Sequence, residues 1–169
     1  LDLCAGSGCV GLALADQVPA CRVVLGELST EALAVCGENV RRCGLENRAE
    51  VRRLDALRPP PEDLGRFSCI VCNPPYIPDG DIPDLDGSVR DFEPHMALRG
   101  GADGLDFYRA IVRDWRRVLL PGGRLYFEVG IGQAEAVRAL LDAGGFTGTA
   151  VVPDGQGIDR VVSGAVPGT

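Results

Sequence analysis

Two stretches hold residues whose types and spacing can do chemistry. One is Asn73-Pro74-Pro75-Tyr76, at the end of the compact apolar run "FSCIVC" (67–72). Asn73 carries an amide oxygen that can accept from an NH2 group, and the Pro74 carbonyl is a second acceptor. The two prolines fix two φ angles and remove two backbone donors, so the hook is rigid. Tyr76 offers a flat ring on which a planar amide or base can stack. A planar NH2 nitrogen is a poor nucleophile because its lone pair is delocalised. Two fixed acceptors would draw its hydrogens and aim the lone pair at an electrophile. That is positioning and electrostatic preorganisation, without a base.

The second stretch is "CAGSGCVG", which holds Gly6-x-Gly8-x-x-Gly11. Alone the pattern is a weak signal, but it lies between a strand pattern and a helix pattern, the context that gives it meaning. Glycines there let the backbone turn tightly and approach a ligand. Glu27 ends the next strand pattern, where a carboxylate can accept both hydroxyls of a ribose. Loop and acid together indicate an adenosine-containing cofactor. They do not choose between a nicotinamide dinucleotide and S-adenosylmethionine. The hook does: a dehydrogenase has no use for it, and a methyltransferase acting on a planar NH2 group has.

Alternating elements must position these residues. Strand patterns are read at "LDLC" (1–4), "RVVLGE" (22–27), "AEVRRL" (49–54, near a sheet edge), "FSCIVC" (67–72) and "GRLYFEVG" (123–130), with "TGTAVV" and "DRVVSGAV" closing the chain. Helix patterns are read at 8–18, at 30–44 with a Ser29 or Thr30 cap and Gly44 as stop, at 104–120 ended by "PGG", and at 133–145. A long polar loop is expected from 77 to about 103. Strands alternating with helices imply an α/β fold with a parallel sheet covered on both faces. Ligands then bind beyond the carboxyl ends of the strands, where the two stretches lie.

Composition narrows the class. The chain has 169 residues, 46% hydrophobic and 24% charged, which suits one globular domain. No apolar run reaches the ~20 residues of a membrane helix and no signal segment opens the chain, so the cytoplasm is the expected location. The 17 cations, all Arg, against 24 acids give a net charge of −7, a poor match to stable nucleic-acid binding. The seven cysteines are scattered. Cys69 and Cys72 form a C-x-x-C, but i, i+3 positions on a strand face opposite ways, and His95 is the only histidine. Free thiols are expected and no metal site.

The stretches "DLCAGSGCVGLALA", "NPPYIP", "FEPHMALRGGADGLDFYR" and "EVGIGQAEAVRALL" resemble the peptide chain release factor N5-glutamine methyltransferases, the HemK/PrmC family, over essentially the whole chain. N-P-P-Y is shared with DNA adenine and RNA guanine N-methyltransferases; "EPHMALRGGADGLDFYR" (93–109) is the more specific part. The resemblance implies a Rossmann-like S-adenosylmethionine-dependent methyltransferase fold, a seven-stranded mostly parallel sheet with the last strand antiparallel. It implies methylation of the glutamine amide in the Gly-Gly-Gln motif of class 1 release factors. Carried over by motif, Cys4, Ala5, Gly6, Ser7 and Gly8 with Glu27 would hold the methionine part and ribose of the cofactor. Asp55 and Ala56 would flank the adenine. Asn73, Pro74, Pro75 and Tyr76 would grip the glutamine, with Asn73 also beside the cofactor.

Cys4 stands where many methyltransferases have a glycine, and Glu27 where Asp is commoner. The whole of 1–169 is read as the catalytic domain, opening inside its first strand, with the family's upstream helical docking domain absent. His95 is read as a loop residue, since amide methylation needs no base. Glu93 and Glu128 are read as pocket or surface residues with no choice between the two, and Phe107 and Trp115 as core. Base methylation of DNA or RNA is the main alternative; a non-catalytic cofactor-binding module and a dehydrogenase follow.

Overall fold

The structure, a computed structural model, describes residues 1–90 and 94–168, apart from the side chains of Val89 and His95. The strands are β1 (Asp2–Leu3), β2 (Val23–Glu27), β3 (Ala49–Arg53), β4 (Phe67–Cys72), β5 (Leu119–Glu128), β6 (Thr147–Pro153) and β7 (Asp159–Ala165). The helices are α1 (Cys9–Gln17), α2 (Thr30–Arg42), the single turns α3 (Gly87–Arg90) and α4 (His95–Leu98), α5 (Asp106–Asp114) and α6 (Ala134–Ala143). One seven-stranded sheet runs in the order β3-β2-β1-β4-β5-β7-β6. The first five strands pair in parallel, and β7 is antiparallel to both β5 and β6. The fold class read from the sequence is therefore the one observed, and β3 is the edge strand as expected.

Two apolar layers hold the sheet. Leu12 and Ala15 of α1 and Cys36 and Val40 of α2 pack on one face, with Leu25 of β2. Tyr108 and Ile111 of α5, Val137 and Leu141 of α6, and Trp115 pack on the other, with Ile70 and Leu125. The caps are local: Ser29 Oγ accepts from Ala32 N at 3.2 Å ahead of α2, and Gly44, at φ +66°, turns the chain after it.

Three expectations are corrected. The helix read at 104–120 ends at Asp114 and passes through a 3₁₀ turn, Trp115–Val118, directly into β5. Tertiary contacts end it: the buried Trp115 Nε1 donates to the carbonyls of Ala56 (3.1 Å) and Arg58 (3.0 Å), and Arg117 donates to that of Pro60 (2.6 Å). Leu119 pairs with Phe67, so β5 begins before Pro121-Gly122-Gly123, which forms an irregularity within it. The stretch 77–103 is not simply a polar loop. It contains α3, α4 and a 3₁₀ turn at Ile82–Asp84, and it buries Ile82 and Leu98.

The pairing sets the site. Leu3 is level with Gly26 on one side and Cys72 on the other, and Glu27 with Arg53. Hence the chain leaves β1, β2, β3 and β4 at one edge of the sheet. The chain runs from β1 through α1 to β2 on one side, while β4 lies on the other, so this edge holds a switch point.

Candidate active site

The loop after β1 is shaped by close packing below and left open above. A Cβ on Gly11 would lie 2.3 Å from Leu25 Cδ2 and 3.0 Å from Asp2 Cβ, so α1 can rest on β2 only with glycine there. Gly8 caps α1 in the left-handed region at φ +86°. Cys4 is the one non-glycine at positive φ among the described residues, at +62°. The sequence placed a non-glycine where glycine is usual, and this left-handed turn is the physical reason glycine suits the position; a side chain there costs about 1 kcal/mol. The loop is fastened from outside, since Asn39 Nδ2 of α2 donates to the Ser7 carbonyl at 3.0 Å.

Glu27 does more than the sequence suggested. Its carboxylate accepts from Gly6 N (2.8 Å), Leu28 N (2.7 Å) and Ser29 N (2.9 Å). It thereby ties the glycine loop to the end of β2, and the extra methylene of Glu over Asp supplies reach. Asp55 Oδ1 accepts from Leu57 N at 2.9 Å, closing the turn after β3. Trp115 fixes the same turn through the Ala56 and Arg58 carbonyls. Trp115 is core, as read, but it also steadies this loop, a contact 59 residues away in sequence that no local pattern reveals.

The hook follows β4 directly. Asn73 is exposed, Pro74 buried, and Pro75 and Tyr76 half-buried. Among the described residues no donor is bonded to the Asn73 side chain or the Pro74 carbonyl. Prolines are not its only restraint. Ile77 N donates to the Leu98 carbonyl at 3.0 Å, and Gly100 N to the Ile77 carbonyl at 2.8 Å.

These segments enclose a cavity of about 920 Å³. Its wall holds Cys4, Ala5, Gly6 and Ser7; Glu27; Asp55 and Ala56; and Asn73, Pro74, Pro75 and Tyr76. The structure thus brings together every residue assigned from the sequence to the cofactor or the glutamine except Gly8, which shapes the turn beneath without reaching the wall. Phe107, read as core, is half-buried and lines the cavity, as do Leu85, Pro94, Met96 and Leu98. Sequence reading missed these because the segment looked like a polar loop; its apolar residues at 82, 85, 96 and 98 were the available signal. Glu128 is exposed and does not reach the wall. Glu93 lies outside the described residues, and His95 begins α4.

Beneath the loop lies a buried acid. Asp2 is 3% exposed and accepts from Gly11 N at 2.8 Å. Burial pushes its carboxyl from an ordinary 3.8 up to about 6, against the pull of the Gly11 N–H. An acid raised in the fold stabilises it fully below the unfolded pKa, and that stability is lost as pH rises through the folded pKa. Asp2→Asn keeps an acceptor without the charge. Relative to the native chain it should therefore gain stability between about pH 4 and pH 7, by at most about 3 kcal/mol. Denaturant unfolding of both proteins at the two ends of that range checks it; a gain that shrinks with rising pH would contradict the assignment.

The comparisons with known proteins agree with this geometry. Residues 1–84 match the family model of the methyltransferase small domain. The fold is shared with the apo form of SibL, an S-adenosylmethionine-dependent methyltransferase (TM-score 0.66, 19% identity, 98% of this chain and 49% of that one). It is shared too with a predicted O-methyltransferase from Agrobacterium tumefaciens (TM-score 0.69, 19% identity, 99% of this chain and 75% of that one). The domain therefore has the S-adenosylmethionine-dependent methyltransferase fold.

Sequence comparison is more specific. The chain is 45% identical over 166 residues to the release factor glutamine methyltransferase of Geobacter sulfurreducens, and 43% identical over 167 residues to that of Cereibacter sphaeroides. It covers 98% and 99% of itself in these alignments but 57% and 59% of the relatives, so it spans a little over half their length. Over nearly its whole length the chain is similar in sequence to these release factor glutamine methyltransferases.

Proposed function

We propose that this domain transfers a methyl group from S-adenosylmethionine to the side-chain amide nitrogen of a glutamine, the one in the Gly-Gly-Gln motif of class 1 peptide chain release factors. The observation that carries the proposal is a pair of acceptors at the end of β4, Asn73 and the Pro74 carbonyl, without a bonded donor among the described residues and in the wall of the cavity that Glu27 and Tyr76 also line. Those relatives bear the name of that activity.

The residues present fit the cofactor. A Cβ on Gly6 would meet nothing within 4 Å, so the loop offers bare backbone to the cavity. Three of the lone pairs on the Glu27 carboxylate are engaged by backbone N–H groups, which leaves capacity for a ribose hydroxyl. Asp55 and Ala56 line the same cavity and would flank the adenine. When bound, S-adenosylmethionine supplies a methyl group on a sulfonium centre. Asn73 Oδ1 and the Pro74 carbonyl would accept the two amide hydrogens, turning the nitrogen lone pair toward that methyl. Tyr76 would stack on the amide plane. As the nitrogen gains positive charge its hydrogens become better donors, so both acceptors bind the transition state more tightly than the ground state. The product nitrogen releases its proton readily, so no base is required.

The domains of the relatives beyond this chain are proposed to help present the release factor. Among the described residues no helix is long and apolar enough to cross a membrane. The test is incubation with methyl-labelled S-adenosylmethionine, a release factor carrying Gly-Gly-Gln, its Gly-Gly-Ala variant, and DNA and RNA. Label is expected only in the Gly-Gly-Gln protein; label only in nucleic acid would replace this reading with base methylation.

A further inference from the structure

Gln133 occupies the N-cap of α6, a place where Ser, Thr, Asp or Asn is favoured by about 1 kcal/mol because a short side chain can accept from the helix N–H groups. Its side chain makes no such cap. It reaches away from its helix instead. Gln133 Nε2 donates to the Tyr76 carbonyl at 2.9 Å and lies 3.4 Å from the Gly104 carbonyl, while Oε1 accepts from Gly130 N at 3.0 Å. The partners fix the orientation of the amide. Two are carbonyls, which only accept, and one is an N–H, which only donates. Glu would face both carbonyls with an acceptor, and Asn is one methylene short.

The surroundings are cleared for this contact. A Cβ on Gly104 would lie 2.3 Å from the Tyr76 carbonyl oxygen and 2.6 Å from Gln133 Nε2. One on Gly130 would lie 2.8 Å from Gln133 Oε1 and 2.9 Å from Tyr76 Cδ2, and one on Gly100 would lie 2.8 Å from Tyr76 Cα. Three glycines thus press bare backbone around one residue, and one amide stitches the hook, the segment before α5 and the end of β5 together. A local preference given up with no gain to its own helix marks a side chain held for another purpose.

We propose that Gln133 is a positioning residue for methyl transfer: it locks the Tyr76 carbonyl and so fixes where Asn73 and the Pro74 carbonyl present themselves. This rests on the function proposed for the same site. Gln133 does not line the cavity; it acts through the hook. The prolines make the hook stiff, and Gln133 makes it stationary relative to the sheet.

The test compares Gln133→Ala and the near-isosteric Gln133→Glu with the native chain by three measurements. These are hydrogen exchange of the segment 73–80, calorimetric affinity for S-adenosylmethionine, and single-turnover methyl transfer to a release factor. Exchange in the hook should rise about tenfold in both variants, and cofactor affinity should change less than about threefold. Transfer should slow by about 10–10²-fold, the size of effect expected when reacting groups are misplaced without being removed. Gln133→Glu should be impaired although it keeps the shape and the acceptor for Gly130 N. Native transfer by Gln133→Glu, native exchange in the hook, or a loss of cofactor affinity parallel to the loss of rate would overturn the proposal. If the native chain itself transfers no methyl, the functional reading fails alone, and the exchange measurement still decides whether Gln133 holds the hook.

Discussion

Asn73→Ala should lower the single-turnover rate of methyl transfer by about 10²–10³-fold, the loss typical of removing one preorganised polar contact from a transition state. The side chain stands exposed at the cavity where β4 ends, without a bonded donor among the described residues. Its removal therefore breaks nothing in the fold and takes away one of two acceptors. The loss should fall on the rate, because the amide hydrogens gain acidity only as the carbon–nitrogen bond forms. Cofactor affinity should change little, since the glycine loop and Glu27 are untouched. Asn73→Asp is the informative control: it keeps an acceptor, adds a charge and should retain part of the rate. Transfer at the native rate by Asn73→Ala, measured beside calorimetry of cofactor binding, would reduce the hook to a stiff turn and remove the main support for amide methylation.

The parts of the site legible in the sequence are those set by neighbours along the chain. Gly6-x-Gly8-x-x-Gly11, Glu27 at a strand end and Asn73 to Tyr76 after a strand each carry their meaning within a few residues, and the parallel sheet brings their strand ends to one edge. The parts that were not legible are set by distant contacts. Helix α5 stops at Asp114 because Trp115 bonds to carbonyls at 56 and 58, which no helical periodicity can report. Phe107 has the spacing of a core residue on an amphipathic helix and still faces the cavity. Gln133 looks like an indifferent start to a helix until its three partners at 76, 104 and 130 are seen together. Glycines 100, 104 and 130 read locally as loop punctuation, and only the folded chain shows that they give way to Tyr76 and Gln133.

Glu27→Ala should weaken S-adenosylmethionine binding by at least about 100-fold, toward the upper end of what the loss of a ribose contact alone would give. Each charge-assisted hydrogen bond to a ribose hydroxyl is worth about 1.5–3 kcal/mol, and a factor of ten in affinity corresponds to about 1.4 kcal/mol. To that is added the loop. Without the carboxylate, Gly6 N, Leu28 N and Ser29 N all lose their acceptor, and the segment that must lie against the cofactor is no longer tied to β2. The two contributions can be separated. Glu27→Gln keeps one oxygen that can serve Leu28 N and Ser29 N, but turns an NH2 toward Gly6 N, so the loop loosens while one polar contact to the ribose survives. Its affinity should fall between native and Glu27→Ala. Hydrogen exchange at residues 4–8 should rise in both variants even without cofactor, because the tie exists in the free protein. Calorimetry gives the affinities. Unchanged binding by Glu27→Ala would remove the end of β2 from the cofactor site. Weakened binding with native exchange in the loop would leave the ribose contact standing and refute the tie, since Glu27 would then act on the cofactor alone.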